Sequence, residues 1–259
     1  MIHIKRSPII QDDGAGHADI VVADIGGTHA RFAIASRSIA GDISLSHEIH
    51  LATSDFADLS SAWATYAAKL GYPAPRRAAI AVACPVQADL LKFTNNRWVI
   101  QPAILPAQLG LEGLSVLNDF EAAGHALAHL APSATLRLQG EFGIGADRIT
   151  SVIGPGTGLG GALVINRTGH TLIVPTEAGH IGFSPRDEIE RAIATHLQNR
   201  FGRVSVERVA SGPALLDIYQ VLAARASHPA PLSDDKLIWT GPAPSNASAL
   251  EVRMDRKVG

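Results

Sequence analysis

Leu117-Asn118-Asp119-Phe120 sets an amide and a carboxylate side by side, where the apolar run Leu114–Leu117 gives way to helical spacing over Phe120–Leu130. In an α/β chain the end of a strand is where functional side chains collect. Two glycine-rich turns lie on either side of it in sequence, Asp24-Ile-Gly26-Gly27-Thr28 and Gly154-Pro-Gly156-Thr157-Gly158-Leu-Gly-Gly161. Residues without Cβ let backbone N–H groups approach a phosphate closely, and Thr28 adds a hydroxyl. Asp24, at a strand end, suits Mg²⁺ held through water. Further on come Glu177-Ala-Gly-His180 and Glu207, side chains that hydrogen-bond hydroxyls well. Phosphoryl transfer needs a carboxylate to take the attacking hydroxyl's proton, with positioning and charge neutralisation supplying most of the acceleration. The set therefore reads as phosphoryl transfer to a polyol, with Asp119 as base and Asn118 orienting the same hydroxyl.

Each residue has a plainer reading when taken alone. Asp119 suits a helix N-cap, the first glycine turn a simple hairpin, His180 a satisfied buried histidine and Glu207 a surface carboxylate. Glu177-x-x-His180 could join Glu121 or His125 around a metal, but di-iron bundles need that motif twice and on helices. Gly156-Thr-Gly-Leu-Gly-Gly161 formally matches a dinucleotide fingerprint. That fingerprint must open a helix, whereas Ala162-Leu-Val-Ile165 continues as a strand. The chain contains no Gly-Lys pair and hence no Walker A loop.

The elements that must position these residues alternate between strand and helix. Asp19–Ile25 and Arg31–Ala35 read as strands joined by the Gly-Gly turn, a β-hairpin. Ile43–Leu51 follows, with alternation at Ile43, Leu45 and Ile49. Ser54 is the expected N-cap of a helix running to about Leu70, with Gly71 as its stop. Ala78–Ala83 is a buried strand, and Leu90–Thr94 is expected to pair nearby. In the second half Ile149–Ile153 and Ala162–Ile165 flank the second turn, followed by helices over Arg186–Phe201, stopped by Gly202, and Leu215–Ala224. The pattern is α/β, and two glycine-turn hairpins, each opening a half, suggest an old duplication.

Composition narrows the class. A chain of 259 residues with 46% hydrophobic and 18% charged residues is an ordinary globular protein with room for two domains. A formal charge of −2 gives no electrostatic case for nucleic acid or an anionic membrane. No apolar run reaches the roughly 18 residues of a membrane span. Residues 1–17 read as a polar extension and not as a signal peptide. The single cysteine, Cys84, excludes an internal disulfide and agrees with a cytoplasmic location.

Taken together, the motifs resemble those of bacterial glucokinases of the hexokinase-like group, within the actin-like ATPase and sugar kinase superfamily. The matching stretches are Asp24-Ile-Gly-Gly-Thr-His-Ala-Arg31, Ala83-Cys-Pro85, Thr94-Asn-Asn-Arg-Trp98, Leu117-Asn-Asp-Phe120, Gly154-Pro-Gly-Thr-Gly-Leu-Gly160, Glu177-Ala-Gly-His180 and Glu207-Arg-Val-Ala-Ser-Gly-Pro213. They run in family order over roughly residues 20–225. The resemblance implies a two-domain, ribonuclease H-like fold with an interdomain cleft. A smaller α/β domain would span residues 18–118 and a larger one 119–225. ATP phosphates would lie between the turns, at Gly26, Gly27 and Thr28 and at Gly156, Thr157 and Gly158, with Mg²⁺ near Asp24. Glucose would be held by Asn118, Asp119, Glu177, His180 and Glu207, with Asp119 activating its 6-hydroxyl. The implied reaction is ATP-dependent formation of glucose 6-phosphate, and a homodimer is compatible with it.

The sequence departs from the family pattern at three places. His29 stands where Asn is common and Ala178 where Gly is common. Beyond residue 225 the family's later Gly-Gly adenosine segment and closing helices have no counterpart, so the second domain is expected to be incomplete and residues 226–259 a poorly packed tail. Loss of the adenosine contacts leaves an alternative, a truncated sugar-binding remnant without effective kinase activity. A sugar-responsive repressor of the related regulator family is disfavoured: no helix-turn-helix precedes Asp19, and one cysteine cannot build that family's zinc site.

Overall fold

The structure, a computed structural model, describes residues 19–39, 41–93, 95–130, 135–136, 138–139, 147–167 and 170–240. The expected extension over 1–17, Thr94 and the end of the tail from 241 lie outside the described residues. By internal contacts the chain divides into two compact units, Met1–Thr150 with Val164–Pro175, and Ser151–Leu163 with Thr176–Gly259. The boundary read at 118/119 falls inside the first unit. There the helix that follows it sets Gly124 against Val164 and Ile173, with no space for a Cβ.

The first unit is built on a five-stranded sheet of order β3-β2-β1-β4-β7. Its strands are β1 (Ile20–Ile25), β2 (His29–Arg37), β3 (Ile43–Ala52), β4 (Arg77–Val82) and β7 (Gly113–Asn118). β1, β2 and β3 form an antiparallel meander, whereas β4 runs parallel to both β1 and β7. Every second residue of β1 and β4 is fully or nearly buried: Val21, Ala23 and Ile25, and Ala78, Ile80 and Val82. A small two-stranded ribbon, β5 (Leu91–Lys92) and β6 (Val99–Ile100), pairs antiparallel.

The expected hairpin forms, with Asp24 opposite Arg31 and Ile25 opposite Ala30. The alternation expected in β3 does not hold along its length. Pairing passes from Phe32↔Ile49 to Ile34↔Ser46, so two β3 residues, His47 and Glu48, oppose Ala33 alone, and His47 takes φ 52°. A bulge of this kind reverses which face each residue presents. Ile49 and Leu51 pack on the core, whereas on the far side of the bulge both faces of this edge strand are open and Ile43 and Leu45 are 66% and 55% exposed.

Ser54 does not cap the first helix. Thr53–Asp55 is a short 3-10 turn, and α1 (Leu59–Leu70) starts from Asp58. The Asp58 carboxylate accepts the Ser61 N–H at 2.8 Å and Ser61 Oγ accepts the Asp58 N–H at 3.2 Å. This reciprocal box satisfies two end groups of the helix. Gly71 closes α1 in the left-handed region at φ 74°, as its position suggested. α1 buries Leu59, Ala62, Trp63, Tyr66 and Leu70, and Phe32 stacks on Tyr66 with ring centroids 5.0 Å apart. A short helix α2 (Leu105–Leu109) precedes β7, and α3 (Asp119–His129) follows it directly.

Three further strands, β8 (Ile149–Pro155), β9 (Leu159–Arg167) and β10 (His170–Thr176), form a sheet of order β10-β9-β8. This repeats the order β3-β2-β1 around the second glycine turn. In the second unit α4 (Glu188–Phe201) is capped by Asp187 and stopped by Gly202, and α5 (Ala214–Arg225) packs on it through Ile193, Leu197 and Val221. Asp217 of α5, 5% exposed, is compensated by Arg200 and by His196 Nε2 at 3.2 Å. A short helix α6 (Asp235–Thr240) forms within the stretch read as a tail and contacts α5, with Leu237 and Trp239 exposed.

The Tyr66 hydroxyl is buried and finds no hydrogen-bond partner among the described residues. Burial, reinforced by Tyr72, pushes its pKa from 10.0 up to about 12. A folded-state pKa above the unfolded value means stability that is complete below pH 10.0 and falls as pH rises toward about 12. Tyr66→Phe removes an unsatisfied donor, so it is expected to preserve the urea midpoint at pH 7 or raise stability by up to about 1 kcal/mol. The same variant should flatten the decline in midpoint over that alkaline window.

Candidate active site

In the first unit the parallel strands β1, β4 and β7 end together: Asp24 is level with Ala81, and Val82 with Asn118. Asp24 and Asp119 thus emerge from one edge of one sheet. Asn118 makes the switch from strand to helix. Its Oδ1 accepts the N–H groups of Phe120 at 3.0 Å and Glu121 at 3.4 Å, and Glu121 Oε2 accepts the Asn118 N–H at 3.4 Å. The N-cap of α3 is therefore Asn118, not Asp119. Its Nδ2 donates to the Cys84 carbonyl at 3.3 Å, which leaves the amide little freedom.

Relieved of capping, Asp119 is the first helical residue. One carboxylate oxygen, Oδ1, accepts the Phe120 N–H at 2.9 Å, and the Asn118 side chain also acts on the carboxylate. Burial pushes the Asp119 pKa above the usual carboxylate value; the Phe120 N–H opposes this and the negative charge of Asp24 adds to it. Burial, with the Asp119 charge beside it, likewise pushes the Cys84 thiol up.

Asp24 Oδ2 accepts from Arg31 Nη1 at 2.7 Å, and both side chains are about half exposed. Its Oδ1 makes no hydrogen bond among the described residues. One open carboxylate oxygen fits a magnesium ion that keeps most of its water. The adjoining turn is held from outside. Asn96 Nδ2 donates to the Gly26 carbonyl at 3.3 Å, and Thr53 Oγ1 to that of Gly27 at 3.0 Å. A Cβ on Gly27 would come within 3.0 Å of Asn95 Cβ. The Gly26 N–H closes the turn on His29 at 2.9 Å, so the Gly27 and Thr28 amides are its open donors.

The second unit holds the other candidates. Its glycine turn is shorter than the sequence suggests: Gly154 belongs to β8, Gly160 and Gly161 belong to β9, and only Gly156, Thr157 and Gly158 connect them. The Gly156 N–H is taken by the Gly158 carbonyl at 2.8 Å, leaving the Thr157 and Gly158 amides open. Glu177, His180 and Glu207 come together. His180 Nε2 lies 3.6 Å from Glu177 Oε2, and Nδ1 lies 4.0 Å from Glu207 Oε1. Arg203 Nη2 donates to the His180 carbonyl at 2.5 Å. The Glu177 side chain is 72% exposed and that of Glu207 only 25%. Gly179, within this segment, crosses the Leu159 carbonyl so closely that any Cβ would clash.

Several contributors carried no role in the sequence reading. Arg31, Asn96 and Cys84 lie inside recognised motifs, so the signal was present. Thr53 and Arg203 lie outside them and act through contacts the sequence does not reveal. Glu121 is engaged in the Asn118 cap and His125 is exposed. Among the described residues no group of three or more His, Cys, Asp or Glu is placed to hold a metal, and no helix is long and apolar enough to cross a membrane.

The sheet order and the carboxylates at its edge define an actin-like sugar kinase fold, and a solved glucokinase from an Antarctic psychrotroph shares it. That structure matches with a TM-score of 0.72 at 28% identity, over 86% of this chain and 71% of its own. A glucokinase from Balamuthia mandrillaris shares the fold at a TM-score of 0.57 and 21% identity. The sequence model of the glucokinase family matches residues 21–252, extending past residue 225, where the motif resemblance had ended. The Zymomonas mobilis glucokinase is 42% identical over 239 residues, 92% of this chain and 74% of that protein. The Hahella chejuensis glucokinase is 39% identical over 203 residues, 78% of this chain and 62% of that protein. This chain belongs to the glucokinase family.

The raised pKa of Asp119 has a stability consequence. A carboxylic acid held above its unfolded value favours the fold when protonated, and that contribution is lost as pH rises through the folded-state pKa. Asp119→Asn is accordingly expected to unfold at a higher temperature than the parent at pH 7. The gap should narrow as pH falls toward 3.8, the ordinary carboxylate value; thermal melts across that range measure it.

Proposed function

We propose that the chain phosphorylates glucose on its 6-hydroxyl, with ATP as donor and Asp119 as general base. The observation that carries this reading is the position of Asp119: the first residue of α3, one oxygen fixed by the Phe120 N–H, on the sheet edge it shares with Asp24. Its burial raises the carboxylate's affinity for a proton, which suits a base that must take one from an alcohol. Family membership supplies glucose as the acceptor.

Asn118 has its Oδ1 committed to the helix and its Nδ2 to Cys84, so it fixes the base and orients the sugar only through what its amide can share. Glu177, His180 and Glu207 supply carboxylate acceptors and an imidazole for sugar hydroxyls. A site built to pair hydroxyls rejects analogues that lack them, because a buried partner left unpaired costs about 1–3 kcal/mol. The open amides of Gly27, Thr28, Thr157 and Gly158 suit phosphate oxygens, and Asp24 would hold Mg²⁺. When bound, that ion neutralises charge on the transferring phosphates.

Asp119→Ala is expected to lower kcat by about 10²–10⁴-fold while glucose affinity stays within a few-fold, read by coupled assay and calorimetry. Activity within tenfold of the parent would remove Asp119 as the base. Glu177→Gln should raise the KM for glucose with kcat nearly unchanged; an unchanged KM removes Glu177 from the sugar site. Glucose binding by the parent without turnover would assign the chain as a sugar-binding protein instead.

A further inference from the structure

We propose that Glu207 is a positioning residue for the second glycine turn, tying the phosphate-facing and sugar-facing parts of the second unit together through one carboxylate. Its Oε2 accepts the N–H of Leu159, the residue that ends the turn and begins β9, at 2.9 Å across 48 positions of sequence. A carboxylate accepting a backbone N–H makes a strong, charge-assisted bond. Its Oε1 is the oxygen that faces His180. One side chain therefore serves two motifs at once.

The neighbourhood is built for this bond. A Cβ on Gly158 would drive into the Glu207 carboxylate, so the glycine is needed for the approach and not for a left-handed backbone. The other end of the turn is held from the same segment: the Gly212 N–H donates to the Gly156 carbonyl at 2.7 Å. Glu207 and Gly212 are the ends of the Glu207-Arg-Val-Ala-Ser-Gly212 motif, which thus clamps the turn at Leu159 and at Gly156. With both flanking residues held, the Thr157 and Gly158 amides are presented in a fixed direction.

This inference deepens the proposed function by making phosphate binding depend on a residue otherwise assigned to the sugar. The test compares Glu207→Ala, Glu207→Gln and, as control, Glu177→Gln, each checked for a parent-like melt. It reads Leu159 amide exchange by NMR, with ADP and glucose binding by calorimetry. Glu207→Ala is expected to speed Leu159 exchange and to weaken ADP at least about tenfold, in addition to weakening glucose. Glu207→Gln should restore Leu159 protection and ADP affinity, since an amide oxygen accepts the same N–H. Glu177→Gln should weaken glucose alone. If Glu207→Ala does not fold, Gly158→Ala displaces the carboxylate while retaining it and should give the same pattern. Parent-like Leu159 exchange and ADP affinity in Glu207→Ala, with glucose weakened, would overturn the proposal and leave Glu207 a sugar ligand only. Absence of glucose phosphorylation in the parent would defeat the kinase reading, while Leu159 exchange would still decide the role of Glu207.

Discussion

The first unit depends on what Asn118 does at the end of β7. One amide turns a parallel strand into a helix by accepting two N–H groups, and is itself held by the Cys84 carbonyl at the end of β4. Because β1, β4 and β7 are in register, this fixes Asp119 on the same edge as Asp24. Burial there raises the proton affinity of Asp119, and the charge of Asp24 on the same edge adds to it. Asp24 offsets its own charge by pairing with Arg31. The fold thus places two acids in unlike environments, one exposed and paired with a cation, the other buried and held by neutral hydrogen bonds.

The glycines divide by purpose. Gly71 and Gly202 end helices with positive φ, a freedom L-residues rarely use. Gly27, Gly158 and Gly179 do not show that conformation; at Gly158 and Gly179 a second segment passes too near for a Cβ, and at Gly27 Asn95 leaves only a tight fit. In the two turns the consequence is economy of donors. Closing bonds consume the Gly26 and Gly156 amides, so each turn offers two open N–H groups and not a long cradle.

Much of this was legible in the sequence. The β1–β2 hairpin, the strand before Asn118, the stops at Gly71 and Gly202 and the clustering of Glu177 with His180 all follow from local pattern. What escaped it depended on partners distant in sequence. A hydroxyl before an apolar repeat suits a cap, which points to Ser54, yet Asp58 forms a reciprocal box that Ser54 does not. Asp119 suits a cap by type, but Asn118 occupies that place. The bulge at His47 has no residue signature, and beyond it this edge strand is exposed on both faces, Ile43 and Leu45 included. Glu207 looked like a surface carboxylate in isolation because its partner, the Leu159 amide, belongs to every residue and so marks none.

Gly179 lies on the backbone of Leu159, with no atom between them that could yield. The Glu177–His180 segment therefore cannot slide along β9 without breaking the contact. In entropic terms the backbone of this segment is placed relative to the turn during folding, so a ligand arriving there does not have to freeze it. Loops that must organise on binding lose affinity to that ordering; here the backbone share of it is already spent, and the exposed Glu177 and His180 side chains keep theirs.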